Sequence, residues 1–469
     1  MEKYKHLLKN IGLLTISNVA TKILSFFLVP LYTSILTTTE YGIFDLVIST
    51  VGVLVPLFTI NIYEAVLRYS MEKQSNPQDV FSIGVSYCLW GNAIVAILLA
   101  INHIFKINSI IDCFAVYFFL IFFVNAISGV IVSMARGLDK IKELSISGVV
   151  SSGTIIGLNI FFLCVVKLGI NGYFWANILG GMAQIVFLFV CIKGWRYLSL
   201  ERINKYTKKE MVHYSLPTIA NAIAWWINGL SDRYIIVFFQ GVAINGIYSV
   251  ASKIPSILNI FQGIFSQAFM LSAVKEFDED DNNGFFRKTF SAYNFVLIIV
   301  CSMIICFDKV LARFLYSNDF YEAWKYVPFL TISIIFGSLS GYMGSIFAAI
   351  KHSEYFAKCS GSGAAVNILL NLVLVPIMGA LGASVATAIS YWVVYIVSMH
   401  LLKKSMNIKV SVVKDNIAYS LLFAQALALL FIINDVIVCY IVQMLFVSIE
   451  ILLYKKEIIL LLEKIRKRK

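Results

Sequence analysis

Lys22 and Lys253 are set deep in stretches that otherwise read as lipid-embedded helix. A cation near the bilayer midplane costs roughly 2.5–3.5 kcal/mol on insertion scales, so it faces protein or water and marks a pathway. At about 1.5 Å per residue, Lys22 lies about 18 Å in from Asn10, and Lys253 about 15 Å in from the outer end of its helix. Neither has an acidic residue three or four positions away. Two such ammonium groups suit an anion held electrostatically. The competing reading is that each pairs with a distant carboxylate and only joins helices.

Polar residues accompany both lysines at helical spacing. Thr15, Asn18, Lys22 and Ser25 share one face of a first helix, and Asn221, Trp225, Asn228 and Asp232 one face of a seventh. Ser249, Ser252, Lys253, Ser256, Asn259, Gly263 and Gln267 keep the same rhythm in an eighth. Three polar stripes in apolar helices imply a shared aqueous cavity. Other charges have weaker claims. Glu64 and Arg68 are spaced for a local ion pair. Asp232 and Arg233 are neighbours on different faces, and Asp45 is a candidate partner for them in an outer charged cluster. Glu64 or Asp232 could carry a coupling proton or sodium ion, as intramembrane carboxylates do in transporters. Trp225 and Trp226 offer flat aromatic faces that suit either stacking on a ligand or interfacial packing.

The elements that position these residues follow from composition. The chain has 469 residues, 59% hydrophobic and 14% charged, against about 25% charged in soluble domains. It therefore reads as an all-α polytopic membrane protein. Approximate spans are 10–37, 41–68, 81–103, 112–135, 144–166, 170–193, 212–239, 243–271, 288–307, 326–350, 359–376, 381–402, 413–433 and 435–454. That makes fourteen; the span at 359–376 is short and carries Asn367 and Asn371. With the N-terminus inside, 30 of the 38 Lys and Arg fall at inside ends, five in outside loops and three within spans. This split places both termini in the cytoplasm. No cleavable signal peptide is expected, because the first span is too long for one. The basic tail 464–469 reads as a topology and headgroup anchor, not a nucleic-acid patch. The eight cysteines form no CxxC pair and the five histidines do not cluster, so no metal site is expected. No phosphate-loop motif is present. The acidic run 276–283 reads as a solvated loop.

An internal duplication organises the chain. Glu40-Tyr41-Gly42-Ile43-Phe44 opens the second span, and Ile244-Asn245-Gly246-Ile247-Tyr248 opens the eighth, 204 residues on. Ile16-Ser17-Asn18 matches Ile219-Ala220-Asn221 at offset 203, and Leu168-Gly169-Ile170-Asn171-Gly172 matches Met378-Gly379-Ala380-Leu381-Gly382 at offset 210. Six spans then six spans form a parallel pseudo-two-fold repeat, with the substrate site expected at the repeat interface. The divisions are 1–200, 201–403, and 404–469 for the two last helices and tail. Pro30, Pro56, Pro217 and Pro255 are expected to interrupt spans 1, 2, 7 and 8.

Two six-helix lobes, two extra helices and the Glu40-Tyr41-Gly42 turn after a Pro-containing first helix resemble the multidrug/oligosaccharidyl-lipid/polysaccharide exporter superfamily. Within it the chain resembles the polysaccharide-transport branch, the Wzx-type flippases, over its whole length. The resemblance implies a cavity lined by helices 1, 2, 7 and 8. It also implies transport of an undecaprenyl-diphosphate-linked oligosaccharide between leaflets of the bacterial cytoplasmic membrane. Lys22 and Lys253 would then clamp the diphosphate. Arg68 would receive it from the cytoplasm and Arg233 release it outside, with Asn18, Ser25, Asn221, Trp225, Asn228, Ser249 and Ser256 lining the polar cavity. The implied protein is a monomer and not an enzyme. It needs no cofactor beyond an H+ or Na+ gradient or the membrane potential, and has polymerase and other assembly proteins as partners. A cation-coupled multidrug antiporter of the same superfamily is the alternative, although it would want acidic groups where these lysines stand. A membrane glycosyltransferase or polymerase is disfavoured by the short loops.

Overall fold

The structure, a computed structural model, describes residues 12, 26–72, 75–198, 204–275, 277–278, 280–350, 352–408, 411–432 and 435–455. All regular structure among them is helical. The chain divides into two compact units, Met1–Trp226 and Ile227–Lys469.

The first unit contains α1 (Val29–Ile35), α2 (Thr38–Phe58), α3 (Ile62–Ser70), α4 (Pro77–Phe105), α5 (Ala115–Gly137), α6 (Ile141–Asn159), α7 (Gly169–Cys191) and the first part of α8 (Lys205–Gln240). The Glu40 motif is a helix start. The Thr37 side chain accepts from the Glu40 backbone N–H at 3.2 Å, and the Glu40 carboxylate accepts from the Thr37 N–H at 2.8 Å. This reciprocal pair satisfies two otherwise orphaned donors. Tyr41 then stacks on Tyr32 at 5.4 Å, and Phe44 packs at a tilt against Tyr173 at 4.3 Å, tying α1 and α2 to α7. Helix α6 runs on as a π-helical segment, Ile160–Val165.

The second unit contains the rest of α8, then α9 (Val242–Ala251), α10 (Ser256–Lys275), α11 (Phe285–Cys306), α12 (Asp308–Leu315), α13 (Val327–Ala349), α14 (Ser353–Met378), α15 (Ala380–Ser405), α16 (Val412–Leu427) and α17 (Val436–Leu453). Its core is aromatic: Phe265 stacks on Tyr293 at 3.7 Å and Phe269 on Tyr342 at 4.2 Å. Such pairs contribute about 0.5–1.5 kcal/mol each beyond the area they bury.

The repeat is visible in the helical hairpins. In each unit a glycine in positive φ, Gly169 (φ 56) or Gly379 (φ 65), starts the helix that packs back along its predecessor, α6 on α7 and α14 on α15. An L side chain is disfavoured there, which is why the duplicated loops keep glycine. Gln240 at the end of α8 secures the second of these turns, its Oε1 accepting from the Ala380 N–H at 2.7 Å.

Nine helices among the described residues are long and apolar enough to cross a membrane; they correspond to the expected spans 2–6 and 9–12. The first span lies almost entirely outside the described residues. Spans 7 and 8, which carry two of the polar stripes, fall outside those nine. Span 7 is the 36-residue α8, and span 8 is split into α9 and α10.

The breaks differ from the proline expectation. Pro56 and Pro217 sit inside α2 and α8. The second span instead breaks at Thr59–Asn61, where Ile60 (φ 49) and Asn61 (φ 54) are both left-handed. A β-branched residue there costs about 1–3 kcal/mol. The tertiary bond from Asn61 Nδ2 to Thr218 Oγ1 at 2.7 Å helps to hold it. Pro255 does mark a break, closing the non-helical turn 252–255 before α10.

Candidate functional site

Lys253 lies in that turn and not within a continuous helix. Its N–H donates to the Val250 carbonyl at 2.9 Å, and its own carbonyl accepts from the Ser256 hydroxyl at 2.6 Å. The Ser252 hydroxyl bonds back to the Ser249 carbonyl at 2.6 Å. These hydroxyls satisfy backbone acceptors that the broken helix frees. The Lys253 side chain is half-buried, and among the described residues it forms no ion pair. Lys22, Asn18 and Ser25 lie outside the described residues.

The α8 stripe changes character along its length. Asn221 and Trp225 are exposed, whereas Asn228 and Asp232 are buried. Asn228 donates to the Ser360 carbonyl of α14 at 2.9 Å. In α9 Ser249 is also buried, and Ser256 at the start of α10 is half-buried.

Asp232 is the hub of a polar cluster within the second unit. One carboxylate oxygen accepts from the Tyr248 hydroxyl and, at 3.4 Å, from the Thr387 hydroxyl. The other accepts from the Arg233 N–H at 3.0 Å. Thr387 in turn accepts from Asn367 Nδ2 at 3.5 Å, and Asn367 Oδ1 accepts from Ser231 at 3.2 Å and from Asn371 at 3.1 Å. Four helices, α8, α9, α14 and α15, thus converge on one buried carboxylate surrounded by hydroxyl and amide oxygens. Such a donor set can hold a proton or a small hard cation. Sequence reasoning found Asp232 but missed Tyr248, Asn367, Asn371 and Thr387. The signal was present: Asn367 and Asn371 are four residues apart, on one face of an apolar helix.

The remaining candidates are more peripheral. Asp45 is buried in α2 of the first unit, and half-buried Arg233 belongs to the second. Arg68 is exposed at the end of α3 and pairs with Glu72 at 3.3 Å, not with Glu64 as its spacing suggested. Both partners are i+4 or i−4 neighbours; Glu72 lies just past the helix end, where its side chain can reach back. The acidic loop is a structured turn. Asp278 accepts from the backbone N–H groups of Asn282 at 2.9 Å and Asp280 at 3.2 Å, which hold its carboxyl below the usual carboxylate range. Asp281 accepts from the first N–H groups of α11, at Phe286 and Arg287. Among the described residues no group of three or more His, Cys, Asp and Glu is placed to hold a metal.

Residues 7–274 match the family model described as polysaccharide biosynthesis protein. An uncharacterized membrane protein of Methanocaldococcus jannaschii is 24% identical over 286 residues, covering 56% of this chain and 65% of the relative. A Haloferax volcanii protein named as the probable low-salt glycan biosynthesis flippase Agl15 is 21% identical over 301 residues, covering 63% of this chain and 62% of the relative. The chain thus spans less than two thirds of the length of these relatives. Among solved structures, the lipid II flippase MurJ in an inward closed conformation superposes with a TM-score of 0.67 at 15% identity, over 97% of this chain and 99% of that one. An inward-facing multidrug resistance MATE family transporter of the MOP superfamily gives 0.66 at 13% identity, over 83% and 97%. The fold is the all-α, two-lobe fold of these transporters.

Proposed function

This chain belongs to the polysaccharide biosynthesis protein family, and from that premise we propose that it is a flippase for lipid-linked oligosaccharide. The substrate is an undecaprenyl-diphosphate carrying a short repeat unit for O-antigen, capsule or exopolysaccharide. It is moved by alternating access from the cytoplasmic to the outer leaflet of a bacterial cytoplasmic membrane, with no covalent step. The observation that carries this reading is Lys253, a half-buried cation in a helix break with no ion pair among the described residues. A diphosphate is the anion class that an ammonium group serves as a flexible point charge. Lys22 supplies the second cation. Arg68, exposed on α3, meets the diphosphate on the cytoplasmic side, and Arg233 meets it on release. The exposed Asn221 and Trp225 face the sugars.

Asp232 is the proposed coupling site. Its carboxylate, with the oxygens of Thr387 and Asn367 around it, takes a proton or sodium ion whose gradient drives the cycle. The protein acts as a monomer beside polymerase and other assembly proteins, with both termini cytoplasmic.

The test is export in a deletion strain carrying Lys22→Ala, Lys253→Ala or the corresponding Lys→Arg change. Both alanine variants should insert normally yet lose polymer export, with the arginine variants milder. Export at the wild-type level from both alanine variants overturns the proposal.

A further inference from the structure

Helices α16 and α17 lie outside the duplicated twelve, yet each carries a buried carboxyl, Asp415 and Glu450. Glu450 of α17 is completely buried, and neither carboxyl oxygen has a hydrogen-bond partner among the described residues. The groups around it are neutral and engaged with one another. Ser302 of α11 donates to Gln425 Oε1 of α16 at 2.9 Å, and Gln425 Nε2 donates back to the Ser302 carbonyl at 3.1 Å. Gln443 of α17 donates to the Gln425 carbonyl at 3.3 Å. All three side chains are fully buried.

The titratable and charged groups facing this place are few. Cys301 of α11 is beside Glu450. Cys439 lies in the first turn of α17, about three turns before Glu450. Tyr454 is four residues on, over the same face, and its hydroxyl donates to Asp415 of α16 at 2.7 Å. Lys414 sits on the Tyr454 ring at 4.4 Å. Asn294 of α11 donates to the Tyr454 hydroxyl at 3.4 Å and accepts from Tyr419 of α16 at 3.0 Å. The nearby cation is therefore stacked on an aromatic ring beside Asp415, one turn from Glu450.

A fully buried carboxylate with no cation beside it, and within reach of only the Ser302 hydroxyl that Gln425 already takes, is among the least favourable groups a protein can hold, and such a group sheds its charge. We propose that Glu450 is a proton-binding site that fastens α17 to α11 and α16, and that this seat holds only while the proton is bound. The proton arrives from the Asp415–Tyr454 end, where polar side chains of all three helices meet. The attachment of the last two helices thereby responds to pH, independently of what the protein carries.

The experiment uses the full chain in lipid nanodiscs, as wild type and Glu450→Gln. Infrared spectra with isotope-labelled glutamate should show a protonated glutamic acid at pH 7 in the wild type that is absent from the variant. N-ethylmaleimide labelling of the buried Cys301 and Cys439, read by mass spectrometry from pH 7 to 10, reports loosening of the seat. The variant corrects for the ordinary rise of thiol reactivity with pH. The ratio of wild-type to variant labelling should climb by up to about tenfold per pH unit over the range in which opening releases the proton. A ratio flat with pH overturns the proposal, as does an ionised glutamate at pH 7 or protection that follows sodium and not pH. If the variant fails to fold, the wild type decides. Loss of the protonated band in step with labelling supports the site, and absence of the band at pH 7 overturns it.

Discussion

Replacing Lys253 by alanine separates a binding role from a structural one. The side chain is half-buried in the turn between α9 and α10, without an ion pair among the described residues. Its removal therefore resembles a surface change of within about 0.5 kcal/mol, a shift of no more than about 2 °C in melting temperature. If the ammonium holds a diphosphate oxygen, the lost charge-assisted bond is worth about 1.5–3 kcal/mol, or about 10–150-fold in affinity. Full Coulomb attraction at about 4 Å and an effective dielectric of about 20 sets a ceiling near 4 kcal/mol. The assay is uptake of a fluorescent undecaprenyl-diphosphate-oligosaccharide into proteoliposomes, with inorganic pyrophosphate as competitor and thermal denaturation on the same samples. Lys253→Ala should raise KM and weaken pyrophosphate competition at nearly constant melting temperature, and Lys253→Arg should recover most of both. Unchanged KM, or a large fall in melting temperature, refutes the reasoning.

Three further outcomes are expected. Asp232→Asn keeps an acceptor for Tyr248 and Thr387 but removes the charge. It should fold at a cost of about 1 kcal/mol yet lose the ion-gradient dependence of uptake, measured by varying Na+ and pH across the vesicle. Gly379→Ala places a Cβ 2.2 Å from Gln240 Nε2 at φ 65, whereas Gly169→Ala meets its nearest atom at 3.5 Å. The first should lower the melting temperature more than the second, each carrying about 1–3 kcal/mol of backbone strain. Asp308, just past the end of α11, is fully buried, and burial pushes its carboxyl well above the usual carboxylate range. The folded chain then keeps a proton that the unfolded chain has released. The associated stability is complete below the ordinary carboxylate range and is lost as pH rises towards the folded midpoint. The apparent melting temperature should fall more between pH 4 and 8 in the wild type than in Asp308→Asn.

The fold class was legible because composition and charge placement act on every span at once. Local geometry was less so. Pro56 advertised a break in the second span, but the break lies at Ile60 and Asn61. A residue 157 positions away, Thr218, bonds the left-handed Asn61 there, and no local pattern carries that information. Polar periodicity located the stripes on α8 and α9 but could not separate the exposed Asn221 from Asn228, which is committed to the Ser360 carbonyl. Arg68 had two equally spaced carboxylates, and only side-chain placement chose Glu72. Asn367 and Asn371 counted against a span, when burial beside Asp232 is what makes amides tolerable in that helix.

Helix α8 has a consequence for how the chain is made. Its first part is fastened within the first unit through Lys208 over the Tyr87 ring, Tyr214 against Tyr69, Thr218 on Asn61, and Trp226 on the Ser49 carbonyl. Its last part carries Asn228, Ser231 and Asp232, whose partners Ser360, Asn367, Tyr248 and Thr387 lie further along the chain. During synthesis the leading unit can complete its packing only when this helix has been inserted. Tyr248 reaches Asp232 after 16 residues, but Asn228 and Ser231 wait 132 and 136 residues for Ser360 and Asn367. A break engineered before Lys205 would leave the first unit without its closing helix, whereas one placed after Gln240 would strand those polar groups. The two halves are thus compact as structures but not separable as translation products.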